Sequence, residues 1–286
     1  MPSQTNNFAY VRGEILPLDN AFLHVSDLAI QRGYGVFDYV KVSQGHPLFL
    51  EDYLERFHAS ARMLHMAVPL SDKALRDVVY ELIERNDMGV SGVKMILTGG
   101  YSGNGYDPAE PSLVMLQQPL SLPGQEMLAR GIKIITHAYV REIPQAKTIN
   151  YTMGIRLIEE IRSKGASDVL YQQNGVVTEF PRCNFFIVAQ DGTVVTPDSN
   201  VLLGVTRKNV LALAAKKYKV VERAVTLEDV YQAKEAFLTS TTKRILPVVQ
   251  VDEKTIADGK PGPVAHALLA DLIQLEEEYC RQQVVR

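Results

Sequence analysis

A single lysine stands in a short polar segment where an amine could do chemistry. Lys147 lies in the run QAKTINY, which ends at Tyr151 and falls between a predicted strand and a predicted helix. Most lysines in loops are solvated charges, whereas a catalytic lysine has to be partly buried so that its amine can be neutral and nucleophilic. Glu179 ends an apolar strand, where a carboxylate is either a surface turn residue or a buried partner for a cation. Local spacing leaves both alternatives open at both positions.

Three further segments have the composition of an anion-binding site. Residues 204–206 (GVT) lead into a predicted helix with Thr206 as its expected N-cap, and a helix N-terminus preceded by glycine can hold an anion. The hydroxyl run 239–242 (TSTT) follows an apolar strand, and its turn amides could form a second anion-binding corner. Arg56 lies off the apolar stripe of its helix and could clamp a phosphate in bidentate fashion. Taken alone, these features also fit a capped helix, a polar strand end and a surface arginine, respectively.

The elements that must position these residues are of mixed type. Apolar runs rich in β-branched and aromatic residues predict strands, and apolar residues spaced three and four apart predict helices. In the helix expected after Lys147, Ile155, Ile158 and Ile161 are predicted to share one face. The predicted strands are 36–42, 47–50, 93–97, 113–116, 132–135, 169–172, 176–178, 184–188, 193–195, 236–238 and 248–251, and the predicted helices are 54–64, 75–83, 152–164, one from about 206, and 263–281.

Turn signals and length predict the domain organisation. Gln44-Gly45, Asn174-Gly175 and Asp191-Gly192 are expected to close hairpins. A chain of 286 residues is long enough for two domains that share a cleft. The stretch around residue 120 contains prolines and a glycine, which indicates a linker. We therefore expect a small N-terminal α/β domain at 1–118, a linker at 119–129 and a larger C-terminal domain at 130–286.

Composition excludes several classes of function. The net charge of −3 gives no sign of a nucleic-acid or membrane-surface partner, and Walker and Rossmann glycine motifs are absent. Two cysteines, Cys183 and Cys280, form neither a disulfide framework nor a metal-ligand cluster, so we expect a reducing compartment and no metal site. The polar N-terminus, residues 1–7, predicts no signal peptide, and no apolar run reaches the roughly 20 residues that span a bilayer. The expected location is the cytoplasm.

Six segments in a fixed order carry a shared pattern. They are 32–38 (RGYGVFD), 53–57 (YLERF), 147–151 (KTINY), 177–179 with 184–186 (VTE, NFF), 202–207 (LLGVTR) and 240–242 with 247–248 (STT, PV). Together they resemble the class IV, or fold-type IV, pyridoxal-5′-phosphate (PLP) aminotransferases, which include branched-chain and D-amino acid aminotransferases and aminodeoxychorismate lyases. The resemblance extends from about Tyr10 to Leu275. It implies an α/β (α+β) chain with the two-domain fold-type IV architecture, similar to D-amino acid aminotransferase, whose larger domain binds PLP.

The resemblance also implies a role for each site residue. Lys147 would be the Schiff-base lysine and the proton-transferring group, in a ping-pong exchange of an amino group between amino acids and 2-oxo acids. Glu179 would keep the pyridine nitrogen of the cofactor protonated. Arg56, Thr206 and Thr241 would hold the phosphate, and Tyr151 would bind the ring hydroxyl. The other expected cofactor-binding residues are Asn184, Leu202, Gly204, Val205 and Ser240.

This chain departs from the family pattern around the expected substrate site. After Glu179 it carries FPRC, up to Cys183, where small residues are usual, and at 98–101 it has TGGY in place of the arginine and histidine of D-specific members. Asp38 stands where glutamate is usual. We expect Arg32 and Arg182, with Thr242, to bind substrate, although an arginine that points into solvent fits position 182 equally well.

These departures favour a D-amino acid aminotransferase with D-glutamate and 2-oxoglutarate as one substrate pair. A branched-chain L-amino acid aminotransferase, an aminodeoxychorismate lyase and a PLP-binding protein without turnover stay open as alternatives. The early segment that contains Arg32 reaches the neighbouring subunit's site in this family, which implies a homodimer. The expected partners are small amino acids and 2-oxo acids.

Overall fold

In the computed structural model the described part of the chain is residues 7–284; residues 1–6, on which the signal-peptide prediction largely depends, lie outside it. The chain divides into two compact units. Unit 1 comprises Met1–Ser121, Ala146–Asn150 and Glu278–Arg286, and unit 2 comprises Leu122–Gln145 and Tyr151–Glu277. The segment with Lys147 and the C-terminal end therefore belong to unit 1, whereas the sequence placed both in the second domain.

Unit 1 is built on a six-stranded antiparallel sheet. Its strands are β1 (Phe8–Val11), β2 (Glu14–Pro17), β3 (Gly35–Ser43), β4 (His46–Pro47), β5 (Ser91–Thr98) and β6 (Ser112–Pro119). They lie in the order β2-β1-β6-β5-β3-β4. The long pairings of β5 with β3 and with β6 place residues such as Tyr39, Lys94 and Leu116 directly opposite one another.

Helices cover one face of this sheet. Unit 1 contains α1 (Leu28–Arg32), α2 (Leu50–Met63) and α3 (Asp72–Asn86). Side chains alternate between the two faces of a strand, and on β3 Val36, Val40 and Val42 are buried while Phe37 and Tyr39 are half-buried. α2 packs against β3, and α3 packs against β1 and β6. The second face of the sheet thus keeps partly accessible side chains.

Unit 2 contains a ten-stranded mixed sheet. Its strands are β7 (Ile132–Ala138), β8 (Asp168–Gln173), β9 (Val176–Val177), β10 (Asn184–Val188), β11 (Val194–Thr196), β12 (Val220–Glu222), β13 (Val225–Thr226), β14 (Glu235–Ser240), β15 (Arg244–Val251) and β16 (Lys254–Thr255). The order is β12-β11-β10-β14-β15-β7-β8-β9-β13, with β16 paired to β15. The pairs β15–β7, β7–β8 and β11–β12 are parallel, and the other pairs are antiparallel.

Apolar clusters fill both sides of this sheet. The helices are α4 (Gln125–Arg130), α5 (Thr152–Arg156), α6 (Ile158–Ser163), α7 (Val205–Ala214), α8 (Leu227–Tyr231) and α9 (Pro263–Val284). Phe186 and Phe237 are cross-strand partners whose rings stack 5.1 Å apart, and apolar residues of α7 and α9 join the same cluster. A second cluster, which contains Phe180 and Phe185, fills the other side.

The helix predicted at 152–164 is the clearest correction. It is two short helices, because Leu157 is both the C-cap of α5 and the N-cap of α6. Ile155, Ile158 and Ile161 line one cleft together, as predicted, but only Ile161 is buried. Ile155 is 65% exposed and Ile158 is exposed, whereas Leu157 is 2% exposed and Ile161 is buried. The buried positions are therefore spaced from Leu157 and not from Ile155.

The three predicted hairpins are confirmed. Gln44-Gly45 and Asn174-Gly175 have positive φ at both positions, as a two-residue hairpin turn requires, and they join β3 to β4 and β8 to β9. Asp191-Gly192 lies between β10 and β11. The strand expected at 47–50 is shorter than predicted, because α2 already begins at Leu50. The expected linker contains most of α4.

Candidate active site

The backbone of Lys147 is fixed on the edge of β3. The amide of Phe37 donates to the carbonyl of Lys147 at 2.9 Å, and the amide of Ile149 donates to the carbonyl of Gly35 at 3.0 Å. The amide of Lys147 itself donates to the hydroxyl of Ser60 on α2, also at 3.0 Å. The lysine thus stands on a short extension of the unit 1 sheet, at a strand edge and not on a mobile loop.

The side chain of Lys147 is half-buried against an aromatic ring. Its Nζ lies 4.7 Å from the ring centroid of Phe37, and Nζ of Lys94 lies 4.8 Å from the same centroid. One ring therefore faces two ammonium groups. Burial lowers the pKa of Lys94. The fully solvated loop lysine, one of the two alternatives for Lys147, is therefore excluded. No sequence pattern indicated Lys94.

Arg56 is held by the carboxylate of Asp38. Its Nε donates to Oδ2 at 2.9 Å, and its Nη2 donates to Oδ1 at 2.7 Å. Asp38 is fully buried and the arginine side chain nearly so, although Arg56 lies off the apolar stripe of α2. The bidentate pair fixes the guanidinium plane, so a phosphate would have to use N–H groups that do not face Asp38.

Arg32 is the last residue of α1, and it is exposed. The N-cap of this helix is Asp27, whose side chain accepts the amide of Ala29 at 2.8 Å. Nη1 of Arg32 donates to the carbonyl of the preceding residue at 3.0 Å. Large apolar side chains near this helix, Phe22 and Ile30 among them, are also exposed. Unit 1 therefore presents Arg32 on a partly apolar surface.

In unit 2, Glu179 is buried and fully engaged. Its Oε1 lies 2.7 Å from both Nε and Nη2 of Arg141, and its Oε2 accepts the amide of Leu202 at 2.9 Å. Only 5% of the Glu179 side chain and 11% of the Arg141 side chain are exposed. Three N–H donors favour the ionised carboxylate. The surface-turn alternative for Glu179 is therefore wrong.

Arg141 is the site residue that the sequence did not reveal. It lies six positions before Lys147, and its Nη2 also donates to the carbonyl of Pro144. Arginine is seldom buried without a partner, but the partner here is 38 residues away. An arginine in a polar loop with no nearby carboxylate cannot be distinguished from a solvated one by local pattern.

The turn that precedes α7 is hydrogen-bonded to Glu179 and Asn184. The side-chain amide of Asn184 donates to the carbonyl of Leu202 at 2.7 Å, so both backbone groups of Leu202 are held by side chains. A Cβ at Gly204 would overlap with Oδ1 of Asn184. Glycine is thus required here for close approach, since its φ of −66° is ordinary.

The N-cap of α7 is Gly204, and the predicted cap Thr206 is wrong. Val205 and Thr206 are the first two helical residues, because the turn at Leu202 places the helix start two positions earlier. Gly204 has no side chain to cap the helix, and the first turn has no acidic residue. The leading N–H groups and the helix dipole therefore offer an anion-binding end.

A hydroxyl-rich turn joins β14 to β15. Ser240 accepts the amide of Lys243 through its hydroxyl at 3.1 Å, and its Oγ lies 3.4 Å from Oγ1 of Thr242. Thr241 occupies the turn between them. The segment predicted as a second anion-binding corner is thus a hairpin turn that carries several hydroxyl groups.

Tyr151 and Arg182 line a cleft of about 660 Å³ in unit 2, together with α5, α6 and Asp168. Arg182 is exposed, and Tyr151 is half-buried. Phe180 does not take part, because it is buried and its ring packs against Phe185 at 5.9 Å.

Unit 2 by itself contains groups that suit a phosphorylated pyridine cofactor. They are a buried carboxylate, which suits a protonated ring nitrogen, and a helix N-terminus and a hydroxyl turn, which suit a phosphate. Unit 1 separately contains the half-buried amine of Lys147. Among residues 7–284 no three histidine, cysteine or acidic side chains are grouped to hold a metal ion, and no helix there is both long and apolar enough to cross a membrane.

The family model for amino-transferase class IV matches residues 35–251. This match covers well over half of the chain. The chain belongs to the class IV aminotransferases. It is 29% identical to a branched-chain-amino-acid aminotransferase of Pseudomonas aeruginosa, over 90% of this chain and 88% of that protein. It is 28% identical to a D-alanine aminotransferase of Listeria monocytogenes, over 90% and 92%.

The fold of this class IV aminotransferase matches solved structures of the same family. The branched-chain amino acid aminotransferase from Escherichia coli superposes with a TM-score of 0.86 at 25% identity, over 95% of this chain and 94% of that one. Another branched-chain amino acid aminotransferase, solved with pyridoxamine 5′-phosphate, superposes with a TM-score of 0.87. The mixed α/β architecture and the family membership implied by the six sequence segments are thereby confirmed. Aminotransferases of this class depend on PLP and act on amino acids and 2-oxo acids.

Proposed function

We propose that this class IV aminotransferase uses PLP to transfer amino groups from D-amino acids to 2-oxoglutarate, with D-glutamate and 2-oxoglutarate as one substrate pair. One observation supports the substrate class. Arg32 and Arg182 are both exposed, and neither pairs with a carboxylate within the described residues 7–284. Exposed guanidinium groups with no acidic partner are suited to bind the carboxylates of a substrate in bidentate fashion.

The cofactor residues are assigned by their chemistry. PLP, when bound, supplies an electron sink conjugated to the reacting carbon. Glu179 would hold the proton on the ring nitrogen, since three N–H donors keep its carboxylate charged. The N-terminus of α7 at Val205 and Thr206, with Ser240 and Thr241, would hold the phosphate. Tyr151 would bind the ring hydroxyl, and Leu202 would pack on the ring from its fixed turn.

Lys147 carries the proton transfer in this proposal. A lysine amine moves a proton efficiently when it is partly desolvated and held in place. The backbone of Lys147 is fixed by Phe37 and Ser60, and its Nζ lies against the Phe37 ring. These contacts support a defined starting position for the amine. The bidentate pair with Asp38 would give Arg56 a fixed orientation toward the phosphate.

The proposal includes a homodimer. The large apolar side chains Phe22, Val25 and Ile30 are exposed close to Arg32 in the sequence, and an exposed apolar surface of this kind favours a subunit contact. Arg32 would then serve the neighbouring subunit. A dimer mass in solution, together with loss of both the dimer and activity on Phe22→Asp, would support this point. The expected cytoplasmic location stays part of the proposal.

The visible spectrum of the PLP-loaded enzyme tests the substrate class. D-alanine, D-glutamate, L-leucine and L-glutamate are added separately, and loss of the visible band with the D-amino acids alone is the expected result. Loss with L-leucine and L-glutamate would make the protein a branched-chain enzyme. Pyruvate released from aminodeoxychorismate without an amino acceptor would make it a lyase. A preparation that forms no visible band would refute the assignment of Lys147.

Two arginine variants test the carboxylate site. Arg182→Ala should raise KM for 2-oxoglutarate by roughly tenfold or more with a smaller change in kcat, because a lost bidentate contact to a charged group costs about 1.5–3 kcal/mol. Arg162→Ala is the matched control, since Arg162 is another exposed arginine of the same cleft. Equal 2-oxoglutarate kinetics for Arg182→Ala and wild type would exclude this role.

A further inference from the structure

The hydroxyl turn of unit 2 is tied to a distant strand by an ion pair. Nζ of Lys243 donates to Oδ2 of Asp168 at 2.7 Å. Lys243 is the last residue of the turn that carries Ser240, Thr241 and Thr242, and Asp168 begins β8, 75 residues earlier in the chain. In the sheet order β7 stands between β15 and β8. The pair therefore adds a link that the strand ladder does not supply.

This ion pair is largely removed from solvent. Only 21% of the Lys243 side chain and 9% of the Asp168 side chain are exposed, whereas most other ion pairs of the unit are more open. Asp168 is itself fixed, because its Oδ1 accepts the amide of Val169 at 2.9 Å. A buried charge pair of this kind constrains geometry more than it adds stability.

The backbone of Lys243 holds the hydroxyls as well. Its amide donates to Oγ of Ser240 at 3.1 Å and to the Ser240 carbonyl at 3.3 Å, and Thr242 Oγ1 lies 3.4 Å from Ser240 Oγ. The side chain and the backbone of one residue thus anchor the turn at two points. Without the ion pair between Lys243 and Asp168, the hydroxyl groups of the turn would still be present, but their positions would no longer be fixed.

The charges around the turn also favour the binding of an anion. Burial lowers the pKa of Lys243, but its interactions with Cys183 and Asp168 raise the pKa by more, so the net direction is upward and the ammonium stays charged. Arg182 is the other cation that acts on this group. With two cations and one carboxylate, the surroundings of the turn are net positive, which suits an anion.

We propose that Lys243 and Asp168 are a positioning pair that fixes the Ser240–Thr242 turn for a phosphate group and so sets the affinity for the phosphorylated cofactor. This rests on the proposed function, in which the turn holds the PLP phosphate. Neither residue has to touch the phosphate. Both act through the hydroxyls of Ser240 and Thr241.

A comparison of PLP with pyridoxal, which lacks the phosphate, isolates this effect. Dissociation constants of both are measured by absorbance titration of the cofactor-free enzyme. Lys243→Met should weaken PLP binding about tenfold and change pyridoxal binding less than about twofold. Lys217→Met is the matched control, because Lys217 pairs with Asp271 on the surface of the same unit, and both ligands should then bind as in wild type.

A second variant guards against misfolding. Lys243→Met leaves a buried carboxylate without its cation, whereas Lys243→Met with Asp168→Leu removes both charges and should fold normally. This double variant should show the same loss, about tenfold, for PLP alone. An unchanged ratio of the two dissociation constants in both variants would overturn the positioning role, as would equal weakening of both ligands.

Failure of the proposed function has a different signature. In that case wild type itself would bind PLP no more tightly than pyridoxal and would form no visible band, and the positioning role would fall with it. A wild type that prefers PLP and forms the band, with variants that keep the same preference, would refute only the positioning pair.

Discussion

Loss of Arg141 should unfold unit 2 at much lower denaturant than wild type. Arg141→Met removes the two N–H groups that lie 2.7 Å from Oε1 of Glu179, while that carboxylate stays 4% exposed. Removing one partner of a buried ion pair costs about 3–5 kcal/mol, because the other charge is left without compensation. We take the lower value, since Leu202 still donates to Oε2, and expect a loss of about 3 kcal/mol. Against a typical total of about 5–15 kcal/mol, this loss is large.

Urea unfolding of the cofactor-free protein measures this loss. The variants are Arg141→Met, Glu179→Leu and the double variant. Each single change strands one buried charge, whereas the double change strands none. The double variant should therefore lose less than the sum of the single losses, with a coupling of at least about 1.5 kcal/mol.

An exposed pair on the same unit provides the control. Arg130 and Glu126 are 3.9 Å apart with 81% and 90% of their side chains exposed, so Arg130→Met should cost less than about 0.5 kcal/mol. If Arg141→Met stays within about 0.5 kcal/mol of wild type, like this control, then the buried pair does not hold Glu179 and the reasoning fails.

Three further predictions concern the space around Gly204, the burial of Leu157 and the pKa of Lys94. Gly204→Ala should lower the free energy of unfolding by about 1–3 kcal/mol and weaken PLP binding, because the added methyl group overlaps with a fixed amide oxygen. The control is Gly124→Ala, at another helix N-cap with open space around it, which should change the free energy of unfolding by less than about 0.5 kcal/mol. Leu157→Ala should cost about 2–4 kcal/mol and Ile155→Ala almost nothing in urea unfolding, and equal costs would contradict the burial of Leu157 and the exposure of Ile155. Lys94→Met should stabilise the protein at pH 7. Burial lowers the folded-state pKa of Lys94 below its unfolded value of 10.5, so wild type gains stability as pH rises from the folded to the unfolded pKa. The variant should lack this rise when thermal unfolding is followed as pH increases toward 10.5.

Elements with a strong side-chain pattern could be predicted from sequence. The alternation along β3 and the apolar spacing of α2 and α3 place those elements to within a few residues. The hairpins at Gln44 and Asn174 follow from residues that tolerate positive φ. The short strands β1, β2, β12, β13 and β16 have too few positions to show a period and were not predicted, whereas the equally short β9 and β11 were located by the hairpin turns beside them.

The residue types of the candidate site could be predicted from the sequence, whereas the contacts of these residues could not. Lys147, Glu179 and Arg56 were identified by the family pattern, but their partners Phe37, Arg141 and Asp38 depend on tertiary structure. Arg141 reaches a carboxylate 38 positions away, and Lys94 reaches the Phe37 ring across a strand pair. Local spacing carries no information on such distances. The N-cap of α7 was misplaced for the same reason, since Asn184 and Glu179 fix the turn before the helix.

Substrate specificity in this chain has to be argued from individual side chains. Identity to a branched-chain enzyme is 29% and to a D-alanine enzyme 28%, so overall similarity favours neither class. Under the proposed function, Arg32 and Arg182 would favour a dicarboxylate substrate, because a branched aliphatic side chain gives an exposed guanidinium nothing to bind. Since Arg182 follows the buried Phe180 and the half-buried Pro181 and is itself exposed, its backbone is fixed while its charge stays accessible. A charge that is accessible on a rigid support is what the recognition of a second substrate carboxylate needs.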